Sequence, residues 1–248
     1  MIRVLINGCN GKMGQEVIKA IQNNEKFAVL NGVDKEENAD YIFPVYTDIS
    51  DIKEKPDVIV DFSVPVATKQ ILEYAKNNKV PIVIATTGLS EEERQKIKEY
   101  SKTIPVFQSA NMSYDINLMK KIVAEVAKNL SETDIEIVET HHNRKVDAPS
   151  GTALLLADSI NDVLNNSKEY NFNRFQNREK RKKSEIGFSS IRGGNIVGEH
   201  TVCFFGENES FEITHKAYSR GVFAEGALKG AEYIVNKENG YYTMDDII

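Results

Sequence analysis

An α/β fold, with a parallel sheet wrapped by helices and then a smaller α+β part on a mixed or antiparallel sheet, is predicted by three observations. Short apolar runs alternate with amphipathic segments through the first half of the chain. A glycine-containing turn joins the first run to the first amphipathic segment. After Asn111 the pattern changes to one long amphipathic segment followed by several strand-like runs.

Taken in order, Ile2 to Asn7 reads as the first strand and Met13 to Ile21 as the first helix. Met13, Val17 and Ile21 recur four apart with Ile18 beside them, giving one face to bury. Phe27 to Val33 is the second strand. Val58 to Phe62 and Ala67 to Asn77 form the next strand and helix, as do Ile82 to Thr86 and Glu91 to Tyr100; Ser90 with Glu93 makes a capping box for the latter. Ile104 to Gln108 closes the repeat. Beyond it the spacing predicts a helix over Ile116 to Leu130 and a strand from Ile135. Ile135, Ile137, Glu139 and His141 alternate there with Glu136, Val138, Thr140 and His142, so His141 and His142 face opposite ways. Pro149 and Ser150 precede Gly151, Thr152 and the apolar run from Ala153, which makes Ser150 an N-cap. The polar segment Asn165 to Ser184 is expected to be a loop. Ile186 to Ile191, Thr201 to Phe205 and Phe211 to His215 read as strands, the last two joined by the turn-forming Gly206 to Glu209. A final helix is expected over Val222 to Val235, though its spacing does not say where it packs.

Composition excludes several classes. The net charge of -6 argues against nucleic acid, and the one basic run, Arg178 to Lys183, lacks interleaved aromatics and reads as a solvated loop. No apolar run approaches the ~18 to 20 residues of a membrane span, and no charged leader precedes the first strand, so a cytoplasmic protein is expected. Cys9 and Cys203 are the only cysteines and stand far apart, which supports neither a disulfide framework nor a zinc site; no metal is expected.

Two segments carry chemistry. Gly8, Gly11 and Gly14 follow the first strand and open the first helix. Gly8 allows the turn, Gly11 lets the backbone approach a pyrophosphate, and Gly14 permits close packing, leaving the amides around Lys12 and Met13 to cradle phosphate. The spacing departs from the usual dinucleotide fingerprint. Asp34, 20 residues beyond Gly14, stands where a carboxylate accepts ribose hydroxyls; Lys35 beside it would attract a 2'-phosphate, so NADH and NADPH both remain open. Phe62 and Ser63 end a parallel strand, where open sheets bind ligands. The fifteen residues Glu139 to Ala153 place His141, His142 and Lys145 just before a helix start. Unpaired amides of Gly151 and Thr152, the positive helix end and an ammonium suit a carboxylate. His200 and His215 lack such neighbours and are expected to be structural.

With these residues in view, the chain resembles the dihydrodipicolinate reductase family over nearly its whole length. Glu139 to Ala153 matches the family signature E-x-H-x-x-x-K-x-D-x-P-S-G-T-A at every fixed position. Gly8 to Gly14, Asp61 to Ser63, Thr86 to Gly88, Ala110 to Ser113, Gly198 to His200 and Ser219-Arg220 also look like the family. The resemblance implies a Rossmann-type nucleotide-binding domain over residues 1–112 and 217–248. It also implies an α+β domain over residues 113–216 for substrate and oligomerisation, and a homotetramer. It implies NAD(P)H-dependent reduction of a cyclic imine dicarboxylate in lysine and diaminopimelate biosynthesis, with pyridine-2,6-dicarboxylate as an inhibitor. His141 would donate the proton and Lys145 would stabilise developing charge. His142, Ser150, Gly151, Thr152 and Arg220 would bind carboxylates, and Thr87, Gly88, Ala110 and Met112 would position the nicotinamide. Ala85 and Met112 depart from the glycine and phenylalanine common in the family, which bears on cofactor affinity. A nucleotide-binding sensor without catalysis and another amino-acid dehydrogenase are the competing classes, and the complete signature weighs against both.

Overall fold

The computed structural model describes residues 1–177 and 179–248, and they divide into two units, Met1–Tyr114 with Arg220–Ile248, and Asp115–Ser219. The first unit begins with β1 (Ile2–Asn7), α1 (Lys12–Gln22), β2 (Phe27–Val33), β3 (Val45–Tyr46), β4 (Val58–Asp61), α2 (Pro65–Asn78), β5 (Ile82–Ile84), α3 (Glu91–Tyr100) and β6 (Pro105–Gln108). The chain then runs through α4 (Tyr114–Asn129), β7 (Asp134–His141), α5 (Gly151–Val163), β8 (Glu169–Asn171), α6 (Arg174–Asn177), β9 (Glu185–Arg192), β10 (Gly198–Phe205) and β11 (Ser210–Ala217). It returns to the first unit with α7 (Gly221–Ile234) and β12 (Gly240–Tyr242).

Parallel strands covered by helices on both sides must be apolar on both faces, and β1, β4 and β5 meet that demand at Val4, Leu5 and Ile6, at Val58, Ile59 and Val60, and at Ile82, Val83 and Ile84. Val4, Ile6, Val58, Val60 and Val83 pack with Val17, Ile18 and Ile21 of α1 and with Ala224, Ala227 and Ala231 of α7. Leu5, Ile59, Ile82 and Ile84 pack on the other side with Ile71 and Leu72 of α2 and Ile97 of α3. The resulting seven-stranded sheet has the order β12-β6-β5-β4-β1-β2-β3, and every pairing in it is parallel. Helix α7 lies close on this sheet because its contact face is small. A Cβ at Gly226 would run into the Met112 carbonyl, and one at Gly230 would press on the Phe107 ring.

The second unit is a mixed sheet of order β11-β10-β7-β9-β8. Its central strand β7 is antiparallel to β10 and parallel to β9. Ile135 and Ile137 of β7 meet Val123 of α4 and Ala153, Leu156 and Ile160 of α5, so the period-two pattern of the strand buries one face under two helices.

Three sequence expectations need correction. Strands β3 and β12 were not foreseen, because strands of two or three residues carry no periodicity and are set by their partners at the sheet edges. The supposed loop Asn165 to Ser184 contains β8 and α6. β8 pairs parallel with β9, and the Tyr170 ring packs edge-on against Phe188. The basic run is not simply solvated either. Arg181 pairs with Asp134 at 2.7 Å and Glu136 at 3.1 Å and donates to the carbonyls of Ile135 and Glu185. Its partners on β7, Asp134, Ile135 and Glu136, lie more than forty residues away, which a linear reading cannot see. Arg178, the first residue of that run, lies outside the described residues.

Candidate functional site

Within the second unit, the alternation of β7 puts Glu139 and His141 on the same buried face. Glu139 is only 1% exposed, and a carboxylate so placed requires partners. It has them: Arg192 donates to Oε2 at 2.8 Å and to Oε1 at 2.7 Å, and the Ser150 amide donates to Oε1 at 3.2 Å. His141 Nδ1 stands 2.5 Å from Oε2. Burial alone would raise the Glu139 carboxyl, but hydrogen bonds from Arg192, Ser190 and His141 hold it at about 2. For His141 burial prevails and lowers the imidazole below its ordinary value, against the pull of Glu139.

The signature loop folds back over this strand end. His142 donates its amide to Ile196 O at 2.8 Å, and Asn143 and Arg144 turn the chain so that Lys145 N donates to His142 O. Lys145 Nζ pairs with Asp147 Oδ1 at 2.8 Å. Burial would raise the Asp147 carboxyl, but the Lys145 ammonium outweighs it and keeps the group low. Helix α5 then starts as expected, with Ser150 Oγ accepting from the Ala153 amide at 3.1 Å. That hydroxyl also bonds His200 Nε2 at 2.9 Å and is buried, so its hydrogen-bonding capacity serves the cap and His200. Gly151 is exposed, with open space where a side chain would stand. Lys145, Gly151 and Thr152 thus belong to one loop and helix start that follow the strand end at His141, with an ammonium and a helix N-terminus on them.

In the first unit, Gly8 adopts a left-handed φ of +82° and its hydrogen faces the Phe62 carbonyl, so a side chain is excluded. A Cβ at Gly14 would collide with Gly8 and Cys9. Gly11 is the N-cap of α1 and makes no side-chain cap bond, so the helix presents its first amides, those of Lys12 and Met13 among them, uncapped by a side chain. Asp34 holds the loop from the other side, accepting from Asn10 N and Lys35 N at 2.8 Å each. Strand order reverses at β1, and a cavity of about 940 Å³ opens there, lined by Gly8, Gly11, Asp34, Lys35, Phe62 and Ser63. A glycine turn, an uncapped helix start and a carboxylate on one cavity fit a dinucleotide.

Beneath that cavity Asp61 is fully buried. Burial raises its carboxyl, opposed by donors from Ser63, Thr68, Asn7 and Thr86. This network ties the ends of β1 and β4 to α2 and to Thr86, next to Thr87 and Gly88. Gly88 has a φ of +77°. Met112 is 3% exposed and packs in the core with α7, a packing role for its side chain. Ala110 follows β6, and Arg220 is the N-cap of α7 in the first unit.

Sequence reasoning missed Arg192 and His200. Arg192 is the register partner of His141 across β7 and β9, and His200 is that of Glu139 across β7 and β10. The His200 ring lies 5.1 Å from that of His141 at 75°. Burial, aided by the charge of His141, lowers His200 to about 3. The signals in the sequence were the shared strand face of Glu139 and His141 and, for His200, the family-like segment Gly198 to His200.

Among the described residues no helix is long and apolar enough to cross a membrane, and no cluster of His, Cys, Asp or Glu could hold a metal ion. Residues 2–112 match the family model for the dihydrodipicolinate reductase N-terminus, and residues 115–248 match that for its C-terminus. The chain is 52% identical to a 4-hydroxy-tetrahydrodipicolinate reductase of Caldanaerobacter subterraneus subsp. tengcongensis over 100% of its length and 98% of the relative's. It is 48% identical to one from Clostridium novyi, with the same coverage. Among solved structures, the dipicolinate-bound dihydrodipicolinate reductase from Paenisporosarcina sp. TG-14 superposes with a TM-score of 0.82 at 27% identity, covering 100% of both chains. A glycine-turn cavity on a parallel sheet, a buried Glu139–His141 pair and matches over both units therefore have one reading: the chain belongs to the dihydrodipicolinate reductase family.

Proposed function

We propose that this chain catalyses the NAD(P)H-dependent reduction of 4-hydroxy-tetrahydrodipicolinate, by way of dihydrodipicolinate, to tetrahydrodipicolinate in lysine and diaminopimelate biosynthesis. The observation that carries the reading is the cluster of Glu139, His141, Lys145 and the start of α5 in one short segment. A reduced nicotinamide, when bound, supplies a hydride to ring C4 of the substrate. Electrons then move through the conjugated system to the imine nitrogen, and the enamine takes a proton at C3. His141 Nε2 supplies that proton, a role worth roughly 10² to 10⁴ in rate. Lys145 exchanges Asp147 for the substrate and offsets the developing negative charge. The amides of Gly151 and Thr152 grip one carboxylate, with His142 and Arg220 on the acid groups; Ser150 acts through its cap.

For the cofactor, the α1 amides hold the pyrophosphate and Asp34 accepts the ribose hydroxyls. Thr87, Gly88 and Ala110 position the nicotinamide, with Met112 contributing by packing. Asp34 and Asp48 both line the cavity, which weights the choice toward NADH, while Lys35 admits NADPH. Asp34→Ala is expected to move the ratio of kcat/KM values toward NADPH. A cytoplasmic homotetramer joined through the second unit belongs to the same proposal.

Pyridine-2,6-dicarboxylate, a planar diacid, tests the site. It should compete with the substrate and, in a co-crystal, place a carboxylate on the Gly151 and Thr152 amides beside Lys145. Non-competitive behaviour, or a diacid remote from those residues, contradicts the reading.

A further inference from the structure

The proton donor of the proposed reaction has a surrounding that its chemistry alone does not require. Both oxygens of Glu139 accept hydrogen bonds: Arg192 Nη2 and Ser150 N donate to Oε1, Arg192 Nη1 and His141 to Oε2, with Ser190 also bonded to the carboxylate. An ionised carboxylate only accepts, so the ring nitrogen facing it must carry a hydrogen. The other nitrogen, Nε2, lies where a Cβ on Gly198 would stand 3.1 Å away. Arg192 also donates to Asp147 O at 2.6 Å. One guanidinium therefore fixes both the carboxylate behind His141 and the loop that carries Lys145.

We infer that Glu139 and Arg192 are positioning residues for His141: the pinned carboxylate holds the imidazole with its hydrogen on Nδ1 and reserves Nε2 for the substrate proton. This rests on the reading of His141 as the proton donor. The pair works because the strand period and the sheet register cooperate. Glu139 reaches His141 two residues along β7, and Arg192 reaches Glu139 from β9, where it is the register partner of His141. A structural ion pair would need neither the contact to Nδ1 nor the tie to Asp147. The groups that face His141 are Glu139 of its own strand, Arg192 of β9, His200 of β10 and Lys145 of the loop. Of these only Glu139 favours the imidazolium. Removing its charge must therefore move loss of the His141 proton to lower pH.

The test starts from the nitrogen spectrum of the protein labelled in its histidines, recorded without substrate, and then compares two variants. Neutral His141 in the unsubstituted protein is expected to carry its hydrogen on Nδ1. In Glu139→Gln, whose amide can donate to Nδ1, the hydrogen is expected on Nε2. Turnover in that variant should fall by about 100-fold or more, with the alkaline limb of the pH–kcat profile moved down by about one unit and NADH affinity unchanged. Arg192→Lys, which keeps the charge but loses the two-pronged grip, should show a smaller loss in the same direction. Hydrogen on Nε2 in the unsubstituted protein overturns the positioning role and leaves the reductase reading standing. The same holds for a Glu139→Gln enzyme with an unmoved tautomer and pH profile. Absence of turnover in the unsubstituted enzyme overturns the reductase reading itself.

Discussion

Glu139 is a buried carboxylate that several donors must satisfy, and its titration links the site to stability. Its folded value of about 2 lies below the ordinary 4.5, so its contribution is present above the ordinary value and is lost as pH falls through the folded one, an effect on the order of 3 kcal/mol. His200 adds to this. Held near 3 instead of 6.5, it is neutral in the fold, and the unfolded chain binds its proton first, so stability falls as pH drops below 6.5. Melting temperatures should therefore decline from pH 6.5 toward pH 3, and His200→Gln should flatten the upper part of that slope. Lys145 behaves differently. Its partner Asp147 is 58% exposed, and such a pair is worth little, so the ammonium is available to an incoming acid. Lys145→Ala should lower kcat/KM by roughly 10- to 150-fold, as expected for one charge-assisted hydrogen bond, with NADH affinity unchanged in a fluorescence titration.

At the scale of elements, two helices are held in ways that single substitutions can expose. Ser150→Ala removes the α5 cap, about 1 kcal/mol, and strips His200 Nε2 of its partner; a lower urea midpoint with an unchanged slope is expected. Gly226→Ala drives a methyl into the Met112 carbonyl under α7, and overpacking of this kind costs about 1 to 3 kcal/mol. The helices and most strands were legible in the sequence because each buries a periodic face, down to the capping box of Ser90 and Glu93 and the cap at Ser150. Strands β3, β8 and β12 were not, since edge strands of two or three residues are defined by pairing. The candidate residues of each unit divide the same way. Gly8 and Asp34 in the first unit, and His141, Lys145 and the start of α5 in the second, could be read from local spacing. Arg192 and His200 join the second unit's cluster across strands, at separations of 53 and 50 residues, so only the sheet register brings them in.

For the whole molecule, the parallel sheet carries the cavity proposed for the cofactor and the mixed sheet carries the cluster proposed for acid–base work, so ligand binding to the native state should be visible as stabilisation. NADH at 100 times its dissociation constant should add about 2.7 kcal/mol to the unit that binds it, a rise of several degrees in its melting transition. Asp34→Ala should shrink that rise at equal NADH concentration. The most direct measurement is a coupled assay in which 4-hydroxy-tetrahydrodipicolinate is generated enzymatically and oxidation of NADH and NADPH is followed separately. The unsubstituted enzyme should oxidise one nucleotide per substrate, while His141→Gln and Lys145→Ala bind NADH normally and turn over slowly. No nucleotide oxidation by the unsubstituted enzyme, or undiminished rates in both variants, would contradict the account.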